Sequence, residues 1–469
     1  MPSAAKLPWL RPALLLALAA GAALAAPHGD DDVVAHTQPL APPALPDDAP
    51  LYRWPEEPLG WALRAHLALG LLAYVVILPI ALVVEVAGRH HRWQPLVQLA
   101  GALAALLSIV FGWVGGSVHN AYARFGWFML CLLAAQTALG LALAMGVLKR
   151  RAPYRAAGVL QLVCTYVAMV LGGIRFLNLC SHSHLGQCVS HFARGSALVA
   201  GSVVMLVGLR LSGPFIAFLR RPVEFYMSAV MVVVGLIGTF TEHNFFQSPD
   251  PAAHHPAAGD WSHKDLQHTM IGIAWLAAGV LGLLMTWRST PRERSVVPAV
   301  AFIATGIAMI IHQQDLVMSS RAHFLFGASL VGFGLSTICE ITLLGAGHAK
   351  DTDEPAPFQY LPVLFACASG MFLMGANRDM ILFLINSGVD VPTYALILLS
   401  LCFAVMLYFY LLADLYIALA GRPAAKYHAL ECADPDSYSP ARRHSVGSQA
   451  TTLTQPPSPT TPPPGGFAV

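Results

Sequence analysis

Long apolar runs recur along the whole chain and constrain its fold more than any other feature. About eleven runs of roughly 20 residues alternate with short polar loops, and a run of that length crosses a bilayer as a helix. Only 11% of the 469 residues are charged, against about 25% in soluble domains. Backbone polar groups in lipid need partners within their own segment, so the runs predict an all-α, polytopic integral membrane protein. The predicted spans are residues 60–86, 94–115, 125–147, 157–178, 191–211, 224–243, 266–286, 296–314, 321–343, 359–377 and 391–419.

Every second predicted loop is rich in basic residues, and this pattern predicts how the chain is oriented in the membrane. The loops near 87–93, 148–156, 212–223, 287–295 and 344–358 carry most of the lysine and arginine between the spans. Because basic loops stay in the cytoplasm, the pattern predicts an outside N-terminus and an inside C-terminus. The formal net charge is only +2, so nothing indicates a nucleic-acid partner, and the predicted partner is the lipid bilayer.

The N-terminus has the pattern of a cleaved secretory signal. Lys6 and Arg11 precede the apolar core PALLLALAAGAALA, and Ala23-Leu24-Ala25 fits an A-x-A cleavage site. This predicts a signal peptide over residues 1–25 and a membrane of the secretory pathway: plasma membrane, vacuole or endoplasmic reticulum. A mitochondrial transit peptide is the rival interpretation, but such peptides are amphipathic, whereas this core is continuously apolar.

Composition divides the rest of the chain. Residues 26–58 are acidic and proline-rich, which predicts a disordered luminal segment. Residues 421–469 include the low-complexity stretch SQATTLTQPPSPTTPPPGG, which predicts a disordered cytoplasmic tail. Between them, residues 59–211 carry five predicted spans and residues 222–420 carry six.

Histidines and carboxylates gather where apolar runs of the second half begin and end. Each run from the sixth to the ninth has a histidine at the end that the predicted topology places outside. Ionisable side chains at this depth are costly and indicate function. Imidazole combined with carboxylate suits zinc, copper or iron, which predicts a divalent transition-metal site for redox chemistry or metal handling. The predicted ligands are His243, His268, His312, His323, Glu242, Asp265 and Asp379.

Three alternatives remain for these residues. They would also suit a transporter or proton relay, in which the imidazoles titrate during transport. They would equally suit interfacial hydrogen bonding, or a scaffold without chemistry. No P-loop, GxSxG, HExxH or dinucleotide fingerprint is present, so no motif assigns an enzymatic reaction.

The first half has its own histidines, which are candidate haem ligands. His66 lies one turn into the first run, His119 closes the second and His191 opens the fifth. Gly195 follows His191 by one turn, a spacing that suits either a flat macrocycle beside a haem ligand or helix packing. A b-type haem is the weaker alternative cofactor, because electron transfer across a membrane usually needs ligands near both faces and these histidines crowd one.

Two cysteines fall in a predicted outer loop. Cys180 and Cys188 lie in LCSHSHLGQC, and an oxidising compartment favours a disulfide between them. The alternative is a soft-metal site in which the two thiols act with His182 and His184.

Several segments resemble a fungal membrane-protein family. LCSHSHLGQCVSHFARGS, RPVEFYMSAVMVVVGLIGTFTEH, DWSHKDLQHTMIGIAW, IATGIAMIIHQQ and HFLFGASLVGFGL occur in the order of the YTP-like family. The resemblance implies a six-helix YTP-like domain at 222–420. It also implies an N-terminal domain at 59–211 that is distantly similar to transmembrane cytochrome b domains. Electron transport is the role suspected for such proteins as a whole, and the resemblance supplies no established reaction.

The resemblance carries over to single residues. It places His66, His191, Glu242, His243, Asp265, His268, His312 and His323 where family motifs have such residues, and Asp379 where the family has a carboxylate. One motif departs from the family: NAYARFGW has Tyr122 and Ala123 where the family has adjacent histidines. This departure weakens the haem interpretation of the first half.

Overall fold

The computed structural model describes residues 60–87, 94–116, 120–180, 185–211, 219, 221–241, 263–290, 293–312, 314, 316–344 and 355–420. Regular structure within these ranges is entirely helical. The helices are α1 (Trp61–Val86), α2 (Gln94–Val114), α3 (Ala121–Ala144), α4 (Ala152–Phe176), α5 (Leu185–Arg210), α6 (Val223–Thr241), α7 (His263–Thr286), α8 (Val297–Ile310), α9 (Val317–Cys339), α10 (Tyr360–Gly375), α11 (Arg378–Asn386) and α12 (Val391–Ala420).

The predicted all-α, polytopic membrane fold is confirmed. In the described ranges, ten helices are long and apolar enough to cross a membrane, and α8 is a shorter apolar helix of 14 residues. The eighth span, predicted over 296–314, ends at Ile310 because a polar stretch that begins at His312 follows it. Orientation and the domain division stay predictions. The signal peptide, the luminal segment before residue 60 and the tail after residue 420 lie outside the described residues.

Large apolar side chains cover the outside of the bundle. Only 6% of the most apolar stretch of α12 and 28% of that of α2 are buried inside the protein. A water-soluble surface does not expose leucine and valine on this scale, so these faces contact lipid.

The helices pack mainly in pairs. In the first half, α1 packs on α2 and α3 packs on α4. In the second half, α6 packs on α7 and α8 packs on α9, while α10 packs between α5 and α9. The main buried core lies in this second group and includes Phe326, Leu330 and Cys367.

Small residues allow two of these pairs to approach closely. A Cβ atom on Gly195 of α5 would lie 2.6 Å from the Gly370 carbonyl oxygen of α10, and one on Gly306 of α8 would lie 2.6 Å from the Gly327 carbonyl oxygen of α9. Close backbone contact at small residues is how membrane helices associate without a hydrophobic driving force. Gly195 therefore serves helix packing.

Helix α1 contains a π-helical segment at Leu72–Ile77, just before Pro79. Proline has no N–H, so Pro79 cannot donate the usual helical hydrogen bond to the Val75 carbonyl. The Tyr408 hydroxyl of α12 donates to that carbonyl instead, at 2.7 Å. A side chain more than 300 positions away thus stabilises the irregular part of the first span.

We expect Tyr408→Phe to lower the free energy of unfolding by about 1–2 kcal/mol, because it leaves the Val75 carbonyl without this donor in an apolar environment. Thermal unfolding in detergent measures the loss. Tyr416→Phe on the same helix is the control and should have little effect. Equal stability of the Tyr408 variant and the wild type would contradict the assigned role.

Candidate functional site

Four buried histidines from different parts of the bundle contact one another in series. The ring centroids lie 6.0 Å apart for His191 and His323, 5.6 Å for His323 and His312, and 5.3 Å for His312 and His268. Each side chain is at most 9% exposed. We call these four residues the histidine cluster.

The helix ends position the cluster. His191, His268 and His323 lie in the second turns of α5, α7 and α9, and His312 lies two residues after α8. Because consecutive helices run in opposite directions, the beginnings of α5, α7 and α9 and the end of α8 meet at one end of the bundle. This is the end predicted to face outside.

Local hydrogen bonds determine which ring nitrogen carries a proton. The Nδ1 of His323 is 2.8 Å from the Ser319 carbonyl oxygen, which can only accept, so Nδ1 is the donor. The neutral ring then has its lone pair on Nε2. The Nδ1 of His312 is hydrogen-bonded to the Gln267 side-chain oxygen, which gives the same arrangement. A ring oriented in this way can bind a metal ion or accept a proton.

A small cavity adjoins the cluster. It has a volume of about 40 Å³, and His191, His268, His323 and Arg194 line part of it. A space of this size holds one water molecule or one ion. The Arg194 guanidinium also lies against α6, where a Cβ atom on Gly238 would be 2.5 Å from its Nη2. The cluster therefore combines imidazoles with one fixed positive charge.

The structure brings together three of the predicted metal ligands: His268, His312 and His323. Glu242 and His243 lie outside the described residues, as does the side chain of Asp265. Within the described part of the chain, no three His, Cys, Asp or Glu side chains are arranged to hold a metal ion. The metal site therefore stays a prediction.

Asp379 is not among the residues that line the cavity beside the histidine cluster. Its Oδ2 accepts a hydrogen bond from the Cys180 backbone N–H at 2.6 Å. Cys180 and Cys188 form a disulfide, with their Cα atoms 5.6 Å apart. Asp379 thus links α11 to the disulfide loop that precedes α5.

His191 joins the cluster, although its place in the sequence made it a candidate haem ligand. The signal that could have placed it there is the topology, since His191 opens the fifth span as His323 opens the ninth. His66 and His191 line different cavities, so the structure does not bring these two haem candidates together. His119, the third haem candidate, lies outside the described residues.

His66 already has hydrogen-bond partners at both ring nitrogens. Its Nδ1 is 2.7 Å from the Ser108 carbonyl oxygen and its Nε2 is 2.8 Å from the Tyr122 hydroxyl. Tyr122 belongs to NAYARFGW, the segment in which the resemblance implies a histidine at this position. The described walls of this cavity contain a single imidazole. They do not fit a haem iron with two histidine ligands.

Comparison with known proteins gives the family. The family described as "Protein YTP1-like, C-terminal" matches residues 164–417, and a domain of unknown function (DUF2427) matches residues 52–146. Protein YTP1 of Saccharomyces cerevisiae is 31% identical over 262 residues, which is 56% of this chain and 53% of the yeast protein. The match thus spans about half the length of that relative. No solved structure matches. Because the first family match covers more than half of the sequence, the chain belongs to the YTP1-like family.

Proposed function

We propose that the histidine cluster binds a divalent transition metal, and that the protein handles this metal in a membrane of the secretory pathway. The observation that carries the proposal is the contact of four buried imidazoles from four parts of the bundle. Isolated interfacial histidines would hydrogen-bond to water, whereas these rings are buried against one another. Neutral imidazole is a common ligand of zinc, copper and iron.

The surroundings of the cluster support this proposal chemically. The Ser319 carbonyl and the Gln267 side chain hold His323 and His312 with Nε2 as the basic nitrogen, which is how outer partners orient metal-binding histidines. The predicted ligands Glu242, His243 and Asp265 would add donors and negative charge. A bound metal would supply Lewis-acid or redox chemistry, according to its identity.

A proton relay is the second candidate. It is favoured by the unbroken series of ring contacts and by the lack of three ready-made ligands among the described residues. Imidazole gains or loses its proton between about pH 5 and 8, so adjacent rings can pass protons along a series. The metal and the relay use the same residues, and measurement of bound metal separates them.

The test is metal retention by detergent-purified protein. After loading with zinc, copper(II) or iron(II) and extensive washing, we expect the wild type to retain about one ion per chain. His268→Ala and His323→Ala should each weaken retention about 10- to 100-fold, as loss of a ligand or its support does. His66→Ala is the matched control, since His66 is also a membrane-embedded histidine but lies in another cavity, and it should retain metal fully.

Two results would contradict the metal proposal: no retention by the wild type, or equal retention by the cluster variants. In the first case, proteoliposomes with an internal pH-sensitive dye would test the relay. Proton flux that is lost in His312→Ala but kept in His66→Ala would then support the second candidate.

A further inference from the structure

A larger cavity lies in the first half of the bundle, between α1, α2, α3 and α4. Its volume is about 290 Å³, and no Asp, Glu, Lys or Arg is among the described residues that line it. Trp113 and Trp127 belong to its wall and are 65% and 52% exposed. Because exposed apolar surface here faces lipid, a ligand can enter the cavity sideways from the bilayer.

We propose that this cavity binds a lipid-soluble ring compound with a ring-bound oxygen that can accept a hydrogen bond, the chemistry that sterols and quinones share. The proposal is independent of the metal proposed for the histidine cluster. The absence of charged residues from the described walls argues against phospholipid headgroups and nucleotides, which need cationic partners.

The Tyr74 hydroxyl supplies the polar contact. Tyr74 lines the cavity, and its hydroxyl is buried without a hydrogen-bond partner among the described residues. A buried hydroxyl without a hydrogen-bond partner is unfavourable. A ligand oxygen that accepts a hydrogen bond from this hydroxyl would therefore be held in place. His66, Ser108 and Tyr122 already bond to one another on the same wall, which leaves Tyr74 as the donor for a ligand.

The shape of the walls favours a flat ligand. A Cβ atom added to Gly126 or to Gly173 would meet nothing within 4 Å, and both glycines line the cavity. Tyr122 and Phe176 add aromatic surface, with ring centroids 5.5 Å apart. Because these glycines add no side chain beside the aromatic rings that line the cavity, a flat ring can contact both backbone and aromatic surface there.

The same glycines provide the test. Gly173→Leu and Gly126→Leu would each add a side chain at the cavity wall, where an added Cβ meets nothing within 4 Å. Gly201→Leu on α5 adds the same side chain in equally open space but outside the cavity. The probes are dehydroergosterol, detected by energy transfer from tryptophan, and decylubiquinone, detected by tryptophan quenching. Both titrations use the full-length protein in detergent.

We expect saturable binding of one probe to the wild type and to Gly201→Leu. The probe that binds shows whether the natural ligand is a sterol or a quinone. The glycine-to-leucine changes in the cavity should weaken binding about 100-fold. Tyr74→Phe should weaken it about 3- to 10-fold, as loss of one hydrogen bond does. His268→Ala should bind the probe normally, which separates this proposal from the metal proposal.

Three outcomes would overturn the proposal. The first is that neither probe binds the wild type. The second is that Gly173→Leu and Gly126→Leu bind as well as Gly201→Leu does. The third is a Soret band in the purified protein that disappears in His66→Ala, which would assign the cavity to a haem instead.

Discussion

Replacing Arg294 by alanine is expected to lower the free energy of unfolding by about 3–5 kcal/mol. Arg294, between α7 and α8, pairs with Glu224 at the start of α6 and lies 3.4 Å from Glu340 at the end of α9. The two carboxylate side chains are only 1% and 9% exposed. Without the guanidinium, two negative charges would remain buried close together, and burial of an unpaired charge is among the costliest single changes.

Thermal unfolding can be followed with a thiol-reactive dye, because Cys164, Cys367 and Cys402 are buried and free. Arg288→Ala is the matched control, since Arg288 lies in the same loop but is exposed. Adding Glu224→Gln and Glu340→Gln to Arg294→Ala should restore much of the stability, because no charge is then left unpaired. A loss in Arg294→Ala no greater than in the control would show that the three residues are not coupled.

Gly327→Leu is expected to have the second-largest effect, a loss of about 3 kcal/mol or a failure to fold. A Cβ atom at this position would lie 2.5 Å from the Gly306 carbonyl oxygen, so the crossing of α8 and α9 would have to open. That opening would also move His312, which follows the end of α8, and His323, which lies one turn before Gly327 on α9. We therefore expect Gly327→Leu to lose metal retention together with stability.

Gly201→Leu again separates steric clash from side-chain size. It introduces the same leucine into a membrane helix where an added Cβ meets nothing within 4 Å. Equal unfolding temperatures for Gly327→Leu and Gly201→Leu would contradict the close crossing of α8 and α9.

Length and hydropathy predicted the helices well because the bilayer imposes a simple rule. A span needs about 20 apolar residues, and the ten long helices satisfy it. Helix α11 escaped prediction because its nine residues are too few for a span. It begins at the Asn377 cap, whose side chain accepts from the Met380 N–H at 2.9 Å.

The candidate site was predictable only in part. His268, His312 and His323 were predicted to share a site because they lie at the ends of successive spans. Since successive helices run in opposite directions, those ends lie at one depth in the membrane. The partnership of His191 with His323 depends on α5 packing against α10 next to α9, which no local pattern in the sequence records. For the same reason, the hydrogen bonds between Asp379 and Cys180 and between Tyr408 and Val75 could not be predicted from the order of residues in the sequence.

X-ray absorption spectroscopy of the zinc-loaded protein counts the atoms bound to the metal, and so decides whether the histidine cluster holds it. If the histidine cluster is the site, the first shell should contain at least three imidazole nitrogens at about 2.0–2.1 Å, and His323→Ala should remove one of them. A first shell of sulfur at about 2.3 Å, or of oxygen alone, would show that the histidine cluster does not bind the metal.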